Sequence, residues 1–160
     1  MPELPDVTIY CEALERVAVG EPLERVRLGS PFVLRSVEPP ITEASGRRVV
    51  GVRRLGKRVV LELEGGLFLV MHLMIAGRLR WRPRRGERPV TLPRRRGLAA
   101  FDFPHGTLLF TEEGTRKRAS LHLVAGEEGL ARHDPGGIET LEASLEEFAL
   151  RLRTENHTLK

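Results

Sequence analysis

The run Arg58-Val59-Val60-Leu61-Glu62-Leu63-Glu64-Gly65-Gly66-Leu67-Phe68-Leu69-Val70-Met71-His72-Leu73 decides how this chain is read. Two short apolar stretches rich in β-branched and aliphatic residues flank Glu64-Gly65-Gly66. Glycine takes the positive φ that a tight turn demands, so the pattern specifies a β-hairpin. The same grammar continues on both sides. Strand-type segments are expected over 23–28, 48–55, 58–63, 67–73, 77–82, 99–103, 107–111 and 120–124, each bounded by Gly, Pro or a polar cluster. Pro104-His105-Gly106 supplies a second turn. Many short strands at this spacing specify a two-sheet β-sandwich in a mainly β fold with some α structure.

Helical periodicity is confined to the two ends. Near the start, Asp6 suits a helix cap, and Val7, Tyr10, Cys11, Leu14 and Val17 or Ala18 follow on one face, with Gly20 as the stop. Residues 82–97, rich in Arg and Pro, read as a mobile loop. Around 124–137 the strand pattern ends in Gly126, Gly129, Pro135, Gly136 and Gly137, which read as a linker. A second helix is expected over 144–153, with Leu145, Phe148, Ala149 and Leu152 as its stripe. Such a helix cannot bury its stripe alone. It must dock on the sandwich, or the chain is a fragment of something longer; one domain is expected over 1–125, and over 126–160 a linker with the incomplete start of another. No internal repeat is evident.

Bulk properties narrow the function classes. The chain has 160 residues, a net charge of +4 and 26 basic residues, most of them Arg, with a pI near 10.0. The basic residues cluster at Arg47–Arg58, Arg78–Arg96 and Arg116–Arg118. Such clusters can track phosphates, although charge alone fits a solvated surface equally well. The longest apolar runs, such as Leu67–Met71, are too short to span a bilayer, and no basic-then-apolar leader is present, so a cytoplasmic protein without membrane contact is expected. Cys11 is the only cysteine. It permits no internal disulfide and no cysteine-based zinc finger, and reads as a small buried hydrophobe; no metal site is expected in this chain. Trp81, the only tryptophan, reads as packing against a sheet edge rather than stacking on a base.

The opening Met1-Pro2-Glu3-Leu4-Pro5-Asp6 carries the chemistry. Removal of Met1 leaves Pro2 with a free secondary amine, whose pKa near about 7.7–8.0 leaves a useful fraction unprotonated at neutrality. Such an amine attacks an electrophilic carbon as catalytic lysines do, and on a sugar C1′ it yields a charged iminium. Glu3 beside it can relay a proton. Asp6 favours the helix dipole and can hold the turn.

Four segments in order resemble the formamidopyrimidine-DNA glycosylase / endonuclease VIII (Fpg/Nei) family. Met1-Pro2-Glu3-Leu4-Pro5-Asp6-Val7 is similar to the family's start, with Asp6 where Glu is usual. Arg53-Arg54-Leu55-Gly56-Lys57-Arg58 resembles its Arg-x-Gly-Lys turn. Met71-His72-Leu73-Met74-Ile75-Ala76-Gly77-Arg78-Leu79 resembles its His-Leu-x-Met-x-Gly-x-Leu segment. Asp134-Pro135-Gly136-Gly137-Ile138-Glu139 resembles the lead into its second domain.

The resemblance implies a monomeric enzyme of base-excision repair acting on damaged double-stranded DNA. Pro2 would be the Schiff-base nucleophile and Glu3 the general acid for sugar ring opening. Lys57 would be the proton donor in β-elimination, or hold the phosphate beside the lesion. His72 is either DNA-facing or a core histidine. A wedge that fills the space of the extruded base is expected from Ile75, at the family's Met position, with Met74 just before it. Arg116 or Lys117 would take the family's Arg role in a later loop, and Arg118 stands where Phe is expected. Lys160 resembles a phosphate-contacting lysine, or is a frayed end. The lesion is not assigned by these residues. Of the family's helix–two-turn–helix domain only the first helix is expected in a truncated chain, and the four-cysteine zinc finger, with its one structural zinc, is expected to be missing. Such a chain would bind DNA weakly and turn over poorly alone. The alternative is a catalytically silent DNA-binding fragment. A tautomerase-like N-terminal-proline enzyme fits the start, but not the Lys57 turn or the Arg clusters.

Overall fold

The computed structural model describes residues 2–139 and 142–154. Helix α1 (Leu4–Ala18) comes first, and its buried stripe is Val7, Cys11, Leu14 and Ala18. Eight strands follow: β1 (Arg25–Leu28), β2 (Val49–Leu55), β3 (Arg58–Leu63), β4 (Leu67–His72), β5 (Gly77–Pro83), β6 (Gly97–Phe103), β7 (Gly106–Glu112) and β8 (Ser120–Ala125). They form two antiparallel four-stranded sheets, ordered β1-β6-β7-β5 and β2-β3-β4-β8. All eight expected strands are present, with ends shifted by a few residues. The Glu64-Gly65-Gly66 turn joins β3 to β4, with Leu63 opposite Leu67 and φ of +80° and +71° at the two glycines.

Alternation along the strands builds one core between the sheets. Val59, Leu61, Leu69, Met71, Leu121 and Leu123 face Phe101, Phe103, Leu108 and Phe110, and the α1 stripe closes one side. Cys11 packs within this core, and burial pushes its thiol up to about 11. Trp81 packs on Phe103 and His105, with ring centroids 5.5 and 5.2 Å away.

Two segments differ from the sequence expectation. Residues 126–131, read as the start of a linker, form a short helix, α2 (Gly126–Ala131). Its Leu130 joins Val60, Phe68 and Val70 in a second small core on the outer face of the β2-β3-β4-β8 sheet. The signal was legible in β4, whose residues are apolar on both faces: such a strand needs cover on both sides. Residues 84–96, read as a mobile loop, are tied to the other sheet. The Val90 carbonyl accepts from Arg27 at 2.7 Å, and the Leu92 side chain lies where a Cβ on Gly29 or Gly97 would clash, at 2.6 and 2.5 Å.

Helix α3 (Leu145–Thr154) falls where expected, but none of its side chains is buried. Leu145, Phe148, Leu150 and Leu152 are exposed. Among the described residues, no helix is long and apolar enough to cross a membrane.

The cover formed by α2 contains an acid-sensitive contact. His122 on β8 stacks against His133, just beyond α2, with ring centroids 4.5 Å apart. The Nδ1 of His122 is buried without a partner. Burial, then His133, Arg58, Arg35 and His72, lowers the His122 pKa to about 4. A histidine whose folded pKa is depressed costs stability once pH falls below its unfolded value near about 6.5, and the cost is complete below the folded value. We expect hydrogen exchange across residues 126–134 to accelerate between pH 6.5 and pH 4. A His122→Phe variant should flatten that dependence; an unchanged profile in the variant would rule the contact out as its source.

Candidate active site

The chain start, one hairpin and one turn converge. Glu3 is the residue that caps α1, so the helix begins at Leu4 rather than after Asp6. Asp6 sits in the first turn and accepts the Glu3 backbone N–H at 2.9 Å. That bond fixes the direction in which Pro2 and Glu3 leave the helix, and a carboxylate there suits the helix dipole. Pro5 tolerates the first turn because its missing N–H would be unpaired there anyway.

Lys57 stands on the two-residue turn between β2 and β3, whose ends are set by Leu55 opposite Arg58. Gly56 takes φ +57°, and a Cβ there would come 2.8 Å from the Pro135 ring. The turn thus depends on glycine for both conformation and space. From it, Lys57 Nζ reaches Glu3 Oε2 at 2.5 Å.

Pro2 is buried and lines two clefts. One, of about 210 Å³, is shared with Lys57, His72, Leu73, Met74 and Ile75. The other, of about 190 Å³, is shared with Asp6, Tyr10 and Arg78. His72 ends β4 opposite Arg58 and Ser120. Burial, then the charges of Arg58 and Lys57, holds its pKa below the ordinary histidine range, so it stands neutral here at physiological pH. It is half-buried and lines the cleft.

Met74 and Ile75 occupy the turn that joins β4 to β5, closed by Gly77 N–H donating to the Leu73 carbonyl at 2.8 Å. Gly77 is obligatory, because a Cβ would meet that carbonyl oxygen at 2.3 Å. Met74 holds φ +53°, the only positive φ outside glycine among the described residues. Such backbone strain in a non-glycine residue concentrates at functional sites. Ile75 is 53% exposed. The loop between β7 and β8 lies alongside, with Glu113 N–H donating to the Ala76 carbonyl at 3.3 Å. Arg116, Lys117 and Arg118 are all exposed on that loop. Lys160 lies outside the described residues.

The first 123 residues match the family model of the formamidopyrimidine-DNA glycosylase N-terminal domain. The chain belongs to the formamidopyrimidine-DNA glycosylase family. Its similarity to curated formamidopyrimidine-DNA glycosylases runs along its whole length: 26% identity to that of Mycoplasma genitalium and 30% to that of Solibacter usitatus, covering 55% and 56% of those proteins. The Thermus thermophilus enzyme is 33% identical over 82% of this chain and 48% of its own. This chain thus spans about half the length of the curated relatives it matches. Among solved structures, a complex of Lactococcus lactis Fpg with abasic-site DNA matches with a TM-score of 0.69 at 23% identity, over 81% of this chain and 46% of that one. This likeness shows the shared N-terminal fold.

The structural zinc implied by the formamidopyrimidine-DNA glycosylase family does not fit the residues at hand. Cys11 is in the core, and no group of three or more His, Cys, Asp or Glu among the described residues could hold a metal.

Three features of this site had no place in the sequence reading. Glu112, 1% exposed, accepts the backbone N–H groups of Arg118 and Ala119 at 3.0 and 3.3 Å, and its own carbonyl takes the Lys117 ammonium. A buried carboxylate so held sets the path of the 113–118 loop. Arg54 pairs with Glu139, tying the segment beyond α2 to the strand that leads into the Lys57 turn. Arg78 lines the second Pro2 cleft. None of the three is signalled by periodicity or by a local motif: Arg54 and Glu139 are distant in sequence, Arg78 aims a side chain from an otherwise ordinary strand, and Glu112 reaches the Arg118 and Ala119 amides only because the loop between them folds back.

Proposed function

We propose that this chain is the catalytic half of a base-excision DNA glycosylase, acting as a monomer in the bacterial cytosol on damaged double-stranded DNA, with an associated abasic-site lyase step. Residues 1–125 form the catalytic sandwich, and 126–160 lead into the second domain. The observation that carries this reading is the Glu3–Lys57 ion pair at 2.5 Å, beside a cleft that Pro2 shares with Lys57. The names of the relatives point the same way, as does the DNA held by the Lactococcus lactis neighbour.

In this reading Met1 is absent and the Pro2 nitrogen is a secondary amine. Its lone pair attacks C1′ of the damaged nucleotide, the base departs with the electron pair of the glycosidic bond, and the proton that the Pro2 nitrogen sheds passes to the base. Glu3 delivers a proton to the sugar ring oxygen as the C1′–O4′ bond breaks, leaving an iminium between Pro2 and C1′. Glu3 is recharged from the ammonium of Lys57, with which it is already ion-paired. The positive iminium acidifies the C2′ proton; the Lys57 amine, freed when it recharged Glu3, takes that proton as the C3′–O bond breaks and the 3′ phosphate leaves with its electron pair. Water then returns the free amine.

Met74 and Ile75, with Arg116, Lys117 and Arg118 on the adjoining loop, fill the space left by the extruded nucleotide and offset the cost of unstacking. His72, neutral, walls the cleft without adding a charge beside Lys57.

Borohydride reduction of the iminium on an abasic duplex tests the proposal: the Met1-free chain should become covalently attached to DNA. Lys57→Ala should cut strand scission by about 100-fold, the scale of a positioned proton donor, while leaving attachment easier to detect than scission. DNA binding without any attachment would favour a silent DNA-binding fragment.

A further inference from the structure

We propose that the corner between β5 and β6 is a separate phosphate groove, which holds the DNA backbone as it runs away from the catalytic cleft. The inference rests on the proposed function and adds to it a second point of grip. Its first observation is the edge strand β5. Gly77, Leu79 and Trp81 face inward, so Arg78, Arg80 and Arg82 share the outward face, at a spacing of about 6.8 Å. The row begins at the cleft, because Arg78 lines it beside Pro2.

The second observation is where the 84–96 segment returns. Gly97 of β6 and Arg78 of β5 both lie opposite Thr111 of β7. The chain just before β6 therefore brings Arg94, Arg95 and Arg96 back to the same end of the sheet as the cleft. There a groove of about 580 Å³ is lined by Arg95, Arg96, Glu113, Gly114, Thr115 and Lys117. It adjoins the wedge turn through the bond from Glu113 N–H to the Ala76 carbonyl.

The charges in the groove are organised for an anion. Glu113 is the one carboxylate lining it among the described residues; its two oxygens share the single Arg96 Nη1, at 3.0 and 2.8 Å, with Arg80 at 3.9 Å. That carboxylate spaces the cations rather than neutralising them all. Arg94 and Arg95 are exposed and have no side-chain partner among the described residues. Lys117 spends one donor on the Glu112 carbonyl and keeps two. Arginine forks and a lysine point charge lining one groove suit phosphodiester oxygens. An acidic protein surface could supply carboxylates, but continuity with the catalytic cleft favours the backbone of the strand that cleft engages.

The test is the salt dependence of binding to an abasic duplex. The double variant Arg94→Ala/Arg95→Ala, which removes Arg95 from the groove wall and the exposed Arg94 beside it, should lower the slope of log Kobs against log[salt] by about 1–2, one for each lost phosphate contact. Borohydride attachment at saturating protein should be unchanged, and so should the melting temperature, since neither side chain holds the fold. A second measurement does not depend on the variant's folding. Neutral methylphosphonates placed singly along the duplex should reveal a position, apart from the lesion's own phosphates, where the wild type loses affinity. Wild-type attachment to DNA combined with an unchanged slope in the double variant, or with no such sensitive position, overturns the groove alone. A wild-type chain that neither binds nor attaches overturns both the groove and the proposed function.

Discussion

Borohydride attachment to an abasic duplex is expected to fall by at least about 100-fold in Pro2→Gly, and to vanish in chains that keep Met1. The two losses have different causes. With Met1 present, the Pro2 nitrogen is an amide and has no lone pair to give. Glycine keeps an amine, but a primary one, whose Schiff base sheds its proton near neutrality and stops pulling electrons from C2′. The iminium of a secondary amine has no proton to shed and stays charged. Proline also holds φ near about −65°, which presents the nitrogen in one direction. Intact-mass measurement gives the fraction of chains lacking Met1, and the attached fraction should track it one to one. Equal attachment by Pro2→Gly, or by Met1-bearing chains, would move the nucleophile elsewhere, and Lys57 would be the next residue to examine.

The largest loss of stability is expected at Asp102, far from that chemistry. This residue of β6 is 7% exposed and takes a forked contact from Arg27 on β1, Nε to Oδ2 at 2.6 Å and Nη2 to Oδ1 at 2.8 Å. The Thr107 hydroxyl donates to the same carboxylate at 2.7 Å. Burial alone would raise its pKa, but the hydrogen bonds from Arg27 and Thr107 outweigh that and hold it below the ordinary carboxylate range. Asp102→Ala leaves a guanidinium that is only one-fifth exposed without its counter-charge, and loosens the Val90 carbonyl that Arg27 also holds. Removing one member of a buried pair costs about 3–5 kcal/mol, and the partial exposure of Arg27 puts this case near the lower figure. For a chain of this size that is a fall in melting temperature of roughly 6–12 °C. The double variant Arg27→Met/Asp102→Leu should recover part of the loss, because it buries no unpaired charge. Thermal unfolding at pH 7 checks both, and a fall below about 2 °C for Asp102→Ala would refute the account. A depressed carboxyl stabilises above its unfolded pKa, so this contribution disappears only as pH falls below about 4. The loss expected at His122 begins at higher pH and is therefore separable.

Pairing partners follow from residue type only where the partners are close in sequence. The hairpins show this. Glu64-Gly65-Gly66 and Gly56-Lys57 specify turns because glycine alone takes the required φ cheaply, and the registers of β2-β3-β4 then follow from the alternation of side chains. Arg27 with Asp102, Arg54 with Glu139, and Glu112 with the amides of Arg118 and Ala119 lie beyond such reasoning. Each is one of many possible partnerships among common charged residues. The cover of α2 was half legible: β4, apolar on both faces, demanded something outside the sheet, but nothing local named Leu130 as what supplies it.

By itself the sequence determined the eight strands and the leading helix, and it named Pro2, Glu3 and Lys57 as the candidates for the proposed chemistry. Steric limits on φ and the alternation of apolar residues act over a few neighbours and can be read one window at a time. Only the tertiary structure decided that Glu3 meets Lys57, that the turn between β4 and β5 lies against the 113–118 loop, and that two arginine-rich segments return to one corner. Those juxtapositions depend on how two sheets and a helix pack around a shared core. That packing is a property of the whole chain, and no single window of sequence contains it.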